Sequence, residues 1–199
     1  LRKGDEEDIS MNEPFHKGYY YHIYNRGVNG MNIFFNQNNY LFLLKKIKST
    51  IDQYGVDLIA YCLMPNHYHF LVGQKTDRPL SDWIKMLFNG YAQAINKQQN
   101  RKGTLFQGRA KHILIDNDAY LIHLVRYIHH NPVEAKIVQS PEKWAYSNYP
   151  EWTGERQGTL VNMPFIRSYF PTARDYKDFM ENYIIENELA VALRKYCLD

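Results

Sequence analysis

The stretch from Leu58 to Val72 leaves a folding chain few options. Two apolar runs, Leu58–Met64 and Tyr68–Val72, are separated only by Pro65, Asn66 and His67. Pro-Asn is turn chemistry, and the aromatic and branched residues on either side read as strands. Two strands joined so tightly form an antiparallel hairpin, and their apolar character buries both. On a strand, residues i and i+2 point to the same face, so His67 and His69 project side by side. Two imidazoles held like this can take adjacent positions around one metal ion. They can equally be two buried, hydrogen-bonded strand histidines. The pair alone leaves both readings open.

The rest of the chain supplies partners for the hairpin. Tyr19–Tyr24 is aromatic and β-branched and reads as a strand, ended by Asn25-Arg26-Gly27. Between Asn36 and Gln53, apolar residues recur at helical spacing, with Asn38 or Asn39 as the cap and Gly55 as the stop. Ser81 is a good N-cap for a second helix carrying Trp83, Ile84, Leu87, Tyr91, Ala94 and Ile95. Lys111–Ile115 reads as a fourth strand. Strand-helix-strand-strand-helix-strand is the ferredoxin-like order. It predicts an α+β fold: an antiparallel four-stranded sheet with two helices on one face.

Beyond the sheet, Asp116-Asn117-Asp118 caps a helix bearing Tyr120 and Tyr127, which lie seven residues apart and share a helix face. Asn131-Pro132-Val133-Glu134 has the form of a new helix start, a cap followed by Pro and an acid, and predicts a further helix over 132–138. A short helix within 160–170 and a C-terminal helix over 176–193 complete the pattern. The organisation expected is a loose polar tail over 1–17, a core domain over 18–138 and a helical extension over 139–199 packed on it.

Composition narrows the function classes. The 199 residues hold 45% hydrophobic residues, enough for a real core. Lys and Arg number 24 against 21 Asp and Glu, so any nucleic-acid site must be a local basic patch. Two cysteines, Cys62 and Cys197, make no disulfide framework and suggest a reducing, cytoplasmic setting. No segment approaches the length of a membrane span, and no membrane association is expected. The best basic patch is 101–112: Arg101, Lys102, Arg109 and Lys111 supply cations, and Phe106 offers a stacking face. It can also be a solvated loop with Phe106 plugging the core. Arg26, at a strand end, is placed to hold a phosphate or to be a solvated turn residue.

Three motifs together resemble one family. Met64-Pro65-Asn66-His67-Tyr68-His69 is similar to the paired-histidine motif of the HUH single-tyrosine transposases, the IS200-like transposases. Tyr21-His22-Ile23-Tyr24-Asn25-Arg26-Gly27 and Leu105-Phe106-Gln107-Gly108-Arg109 resemble the pattern of their REP-associated branch. Arg126-Tyr127-Ile128-His129-His130-Asn131-Pro132 looks like that branch's Tyr-Ile-His-x-Asn-Pro motif. The likeness covers roughly residues 18–185.

The resemblance implies the following. Residues 18–138 form the catalytic domain. Tyr127 is the nucleophile, and His67, His69 and Asn131 hold Mg²⁺ or Mn²⁺, with His130 as the alternative third ligand. Arg26, Arg101, Lys102, Phe106, Arg109 and Lys111 contact DNA. The substrate is single-stranded or hairpin DNA, cleaved and rejoined through a 5′-phosphotyrosine by a monomer, with a dimer as the alternative. His22 is expected to be a packed strand residue. Asn131 has a rival role as the cap described above.

Other classes fit less well. A histidine-triad nucleotide hydrolase needs a third alternating histidine, where this chain has Leu71. A structural zinc site needs a closed set of ligands. A domesticated sequence-specific DNA-binding protein without cleavage remains the competing reading.

Overall fold

A computed structural model describes residues 14–182. The hairpin is its centre. β2 (Val56–Leu63) and β3 (His67–Gln74) pair antiparallel, with Leu63 opposite Tyr68, and the Met64 N–H donates to the His67 carbonyl to close the turn. β1 (Tyr20–Arg26) pairs with the free side of β3, and β4 (Lys111–Ile115) pairs with β1. All pairings are antiparallel, and the sheet order is β2-β3-β1-β4. This is the ferredoxin-like arrangement that the element order predicts.

Strand alternation sorts the side chains between two cores. Tyr21, Ile23, Tyr68, Phe70 and Val72 face α1 (Gln37–Thr50) and α2 (Leu80–Gln98), meeting Leu43, Ile47, Trp83 and Leu87. Tyr24, Leu71, Ile113 and Ile115 face the opposite way, toward α3 (Asp118–Glu134), whose Leu121, Leu124, Val125 and Ile128 close that side. His67 and His69 belong to the second set by alternation. The paired histidines therefore lie between the sheet and α3.

Several helix starts differ from expectation. Asn36 caps α1, not Asn38 or Asn39. Its side chain accepts from the Asn39 N–H while the Asn39 side chain accepts from the Asn36 N–H, a reciprocal capping box. α2 begins at Leu80, ahead of Ser81, because the buried Gln74 side chain takes the Leu80 N–H. Asn117 caps α3 as anticipated. No new helix starts at Pro132; α3 runs through it to Glu134. Proline costs a helix one hydrogen bond and restrains its predecessor. Here it sits in the last turn, and the buried Asn131 side chain is engaged by the sheet, so tertiary contact overrides the local preference.

The chain after α3 covers the exposed edge of β2, as an unpaired edge requires. The Leu63 N–H donates to the Tyr146 carbonyl, Trp144 Nε1 donates to the Leu63 carbonyl, and Cys62 bridges Ser147. At the β2 bulge between Leu58 and Ala60, the Ile59 carbonyl accepts from both Asn148 Nδ2 and Trp152 Nε1. Three short helices follow: α4 (Tyr149–Trp152), α5 (Met163–Tyr169) and α6 (Ala173–Glu181). The part of the predicted C-terminal helix beyond residue 182 lies outside the described residues, as do residues 1–13. Within the expected tail, Phe15 is docked, with ring centroids 4.8 Å from Tyr21 and 4.3 Å from His112. A polar composition concealed that single aromatic anchor.

Candidate active site

The site is where one turn of α3 meets two residues of β3. His67 Nε2 lies 2.9 Å from Asn131 Oδ1. The Tyr127 ring stands edge-on to His69 and, further off, to His22, with centroid distances of 5.3 and 6.5 Å. Four residues of helix rise about 6 Å, and two residues of strand advance about 6.6 Å. The two repeats match. With α3 running opposite to β3, Asn131 falls on His67 and Tyr127 on His69.

Each histidine has a second contact behind it. Asn66 Oδ1 lies 2.7 Å from His67 Nδ1, and Asn66 Nδ2 donates to the Gly30 carbonyl at 3.4 Å. Asn66 thus occupies Nδ1 and leaves Nε2 to the α3 side; a proton on Nδ1 would leave Nε2 its lone pair. This arrangement depends on Gly27, where a Cβ would stand 1.9 Å from the Met31 carbonyl oxygen. Only glycine lets the turn after β1 fold under the hairpin. Behind His69, His22 Nε2 lies 2.9 Å from Nδ1. His22 is opposite Leu71 in the register, one diagonal step from His69. Both rings are fully buried. Burial lowers the pKa of His22 to about 3, and burial, with His67 and His22 nearby, lowers that of His69. Both are neutral at ordinary pH.

Two observations bear on whether the set suits a cation. His69 Nε2 is buried with no hydrogen-bond partner among the described residues. His67 Nε2 and Asn131 Oδ1 lie at hydrogen-bond distance, in a contact whose direction follows the tautomer of the ring. With the ring proton on Nδ1, Nε2 and the amide oxygen present two lone pairs that a cation can take. Two imidazole nitrogens and one amide oxygen thus converge beside Tyr127, and the donor set fits a divalent metal. His130 points elsewhere: its Nε2 lies 3.6 Å from Glu134 Oε1. Its pKa is lowered by burial and by Arg126, against the opposing pull of Glu134. Among the described residues, no three His, Cys, Asp or Glu side chains are grouped to hold a metal; the set here depends on an amide.

The basic residues fall into two groups. Arg26 is opposite His67, and Lys111 is opposite Tyr24, so both side chains leave the sheet on the α3 face, on the β1–β4 side of the paired histidines. Arg26 Nε donates to Gln107 Oε1 at 2.5 Å, and the Gln107 N–H donates to the Arg26 carbonyl. That pairing fastens the 103–110 loop to the end of β1. Lys102 and Arg109 are exposed on the loop, and the half-buried Arg101 has Nη1 without a partner among the described residues. Phe106 is the core plug that composition also allowed: its ring meets Tyr68 and Phe88 edge-on, at 5.9 and 5.4 Å.

Sequence reasoning missed one network. Asn148 Oδ1 accepts from the Tyr61 N–H at 2.7 Å and from His129 Nε2 at 2.9 Å. His129 Nδ1 then accepts from the Tyr176 hydroxyl at 2.6 Å. These buried groups tie α3 to β2 and to α6 at the residue midway between Tyr127 and Asn131. Burial lowers the His129 pKa to about 4, partly opposed by the Asn148 bond. No local motif marks a His-Asn-Tyr set spread over 47 residues.

An antiparallel ferredoxin-like sheet whose central strand offers paired histidines to a tyrosine-bearing helix defines the class. Residues 16–131 match the family model described as transposase IS200 like, and the chain belongs to that family. Its likeness within the family is to the REP-associated tyrosine transposases. A protein of Haemophilus influenzae (strain ATCC 51907 / DSM 11121 / KW20 / Rd) described as such a transposase is 27% identical over 112 residues, 51% of this chain and 64% of that relative. The chain thus spans just under two thirds of that relative's length. The structure of a REP-associated tyrosine transposase bound to a REP hairpin superposes with a TM-score of 0.62 at 18% identity, covering 76% of this chain and 93% of that one. The likeness is one of fold. Among the described residues no helix is long and apolar enough to cross a membrane.

Proposed function

We propose that this transposase cleaves and rejoins single-stranded DNA at hairpin-bearing ends, with Tyr127 as the nucleophile. The observation that carries the reading is the meeting of Tyr127 and Asn131, one turn apart on α3, with His69 and His67. The relative bound to a REP hairpin supports hairpin DNA as the partner class.

A tyrosine hydroxyl titrates near ~10 and is a weak nucleophile when neutral. Tyr127 gains from position: α3 is fixed on the sheet, so its hydroxyl approaches a bound phosphodiester in one direction. Attack on phosphorus forms the bond from the phenolic oxygen to the 5′-phosphate and breaks the bond to the 3′-oxygen; the phenol gives its proton to solvent, and the 3′-oxygen takes one from solvent and leaves as a hydroxyl. The bond energy is retained in the phosphotyrosine, so an incoming 3′-hydroxyl can reverse the step without ATP. His67 and His69 through Nε2, and Asn131 through Oδ1, are the residues that would hold Mg²⁺ or Mn²⁺, which supplies charge to polarise a non-bridging phosphate oxygen. Arg26 and Lys111 lie beside the site on its β1–β4 side, and Arg109, Lys102 and Arg101 extend the positive surface along the adjoining loop for the DNA backbone.

A labelled hairpin oligonucleotide incubated with the protein and Mn²⁺ should yield a covalent adduct on a denaturing gel. Specific hairpin binding with no adduct under any divalent metal would leave the chain as a DNA-binding protein without cleavage.

A further inference from the structure

We infer that His22 is a positioning residue that holds His69 in the tautomer a metal ligand requires; this role rests on the metal reading of the site proposed above. The two rings lie edge to edge and nearly coplanar, with planes at 20° and centroids 5.2 Å apart, and His22 Nε2 meets His69 Nδ1 at 2.9 Å. One proton is shared across that contact. If it sits on His22, His69 Nδ1 is the acceptor and His69 Nε2 must carry the other proton, which blocks ligation. If it sits on His69 Nδ1, Nε2 presents its lone pair toward α3. His22 Nε2 is then the acceptor, and its own proton lies on Nδ1. The two arrangements are neutral and contain the same number of protons, so passage between them needs no net uptake.

His22 Nδ1 and His69 Nε2 are the two ring nitrogens of this pair left buried without partners among the described residues. Each arrangement therefore leaves the same number of unmet groups, and a cation at His69 Nε2 decides between them. His22 does for His69 what Asn66 does for His67: each occupies Nδ1 from behind and directs Nε2 at the site. A partner behind a ligating histidine fixes its tautomer and ring orientation, and its loss typically costs about 10- to 100-fold in metal affinity.

The test compares His22→Gln with His22→Asn. Glutamine reaches far enough to set an oxygen where Nε2 stood, whereas asparagine places its amide near the Nδ1 position, out of reach of His69. Mn²⁺ affinity is measured by calorimetry on each protein without DNA, and thermal melting checks that each folds. Nitrogen-15 shifts of the Mg²⁺-loaded proteins report which His69 nitrogen is protonated. The expected result is affinity within a few fold of the parent for His22→Gln, a loss of about 10- to 100-fold for His22→Asn, and a proton on His69 Nδ1 in the parent. Parent-like affinity in a folded His22→Asn protein would remove this role and leave the metal reading standing. If the parent binds no Mn²⁺ and His67→Ala changes nothing, the metal reading falls and takes this role with it.

Discussion

Tyr127 and His69 meet edge to face, with ring planes at 82° and centroids 5.3 Å apart. The phenol is therefore held across the imidazole rather than stacked on it. Tyr127→Phe keeps the ring and its contact and removes only the hydroxyl. The expected outcome is normal folding and hairpin binding with no covalent adduct. Tyr120 lies about two turns, roughly 10 Å, further from Asn131, and Tyr120→Phe should keep most activity. An adduct from Tyr127→Phe, seen with a labelled oligonucleotide on a denaturing gel, would show that another residue attacks.

The donor set makes a separate prediction. His67→Ala and His69→Ala should each weaken Mn²⁺ binding, and chelation by EDTA should stop adduct formation while hairpin binding in gel shift persists. Asn131→Ala should lower affinity by about 10-fold or more, by analogy with the loss of a supporting ligand group. Asn131→Asp should restore or exceed the parent affinity, because a carboxylate offers the same oxygen with added charge. Equal metal affinity in all four proteins by calorimetry would disconnect these residues from any metal.

Arg109 and Lys111 are expected to lie along the DNA backbone. Replacing both by Ala should weaken hairpin binding regardless of sequence. It should also reduce the magnitude of the slope of log K against log salt by about 1.4 to 1.8, the loss of two phosphate contacts. Fluorescence anisotropy over a salt series reads this directly. An unchanged slope would place the DNA elsewhere.

The Asn148 hub carries stability. Asn148→Ala strands the Tyr61 N–H and His129 Nε2 and removes a donor from the Ile59 carbonyl. Leaving buried polar groups unpaired costs about 1 to 3 kcal/mol each, so a loss of about 3 kcal/mol or more is expected in urea unfolding. Tyr176→Phe strands only His129 Nδ1 and should cost about 1 to 3 kcal/mol. A cost below 0.5 kcal/mol for both, about the size of ordinary surface substitutions, would mean that the network is not maintained in solution.

The same network gives a pH dependence. His129 has a folded pKa of about 4, below its ordinary value, so the unfolded chain binds its proton first. The contribution is present above the unfolded pKa of ~6.5 and is lost as pH falls toward 4. Between pH 7.5 and 5 it amounts to about 2 kcal/mol. Denaturant unfolding across that range should show a slope shallower by about one proton in His129→Gln. Parallel slopes for the two proteins would indicate that His129 is protonated in the fold.

Much of the fold was legible because the sheet is built from short-range signals. The hairpin, the strand ended by Asn25-Arg26-Gly27 and the stripes of α1 and α2 each announce themselves within a dozen residues. The pairing of His67 with His69 follows from alternation alone, and the choice of Tyr127 and Asn131 came from family resemblance. What stayed hidden depends on distant partners. Gln74 starts α2 in place of Ser81 because strand and helix lie close in space. Asn131 stays helical before Pro132 because His67 engages it. Asn148 lies in an aromatic run, Trp144 to Tyr149, and nothing local points to His129 and Tyr176 as its partners. The sequence marks His22 only as a packed strand residue. It is packed, but its direction toward His69 depends on the diagonal register of β1 on β3.

The matched spacing of α3 and β3 also restricts how this chain can change in length. A residue inserted between Tyr127 and Asn131 would rotate one of them by about 100° around the helix and take it off the sheet. A residue inserted between His67 and His69 would turn one imidazole into the opposite core. Elsewhere an added residue can be absorbed by a loop, such as the run between α4 and α5, without moving either pair. These two short intervals can be neither lengthened nor shortened without parting one pair from the other.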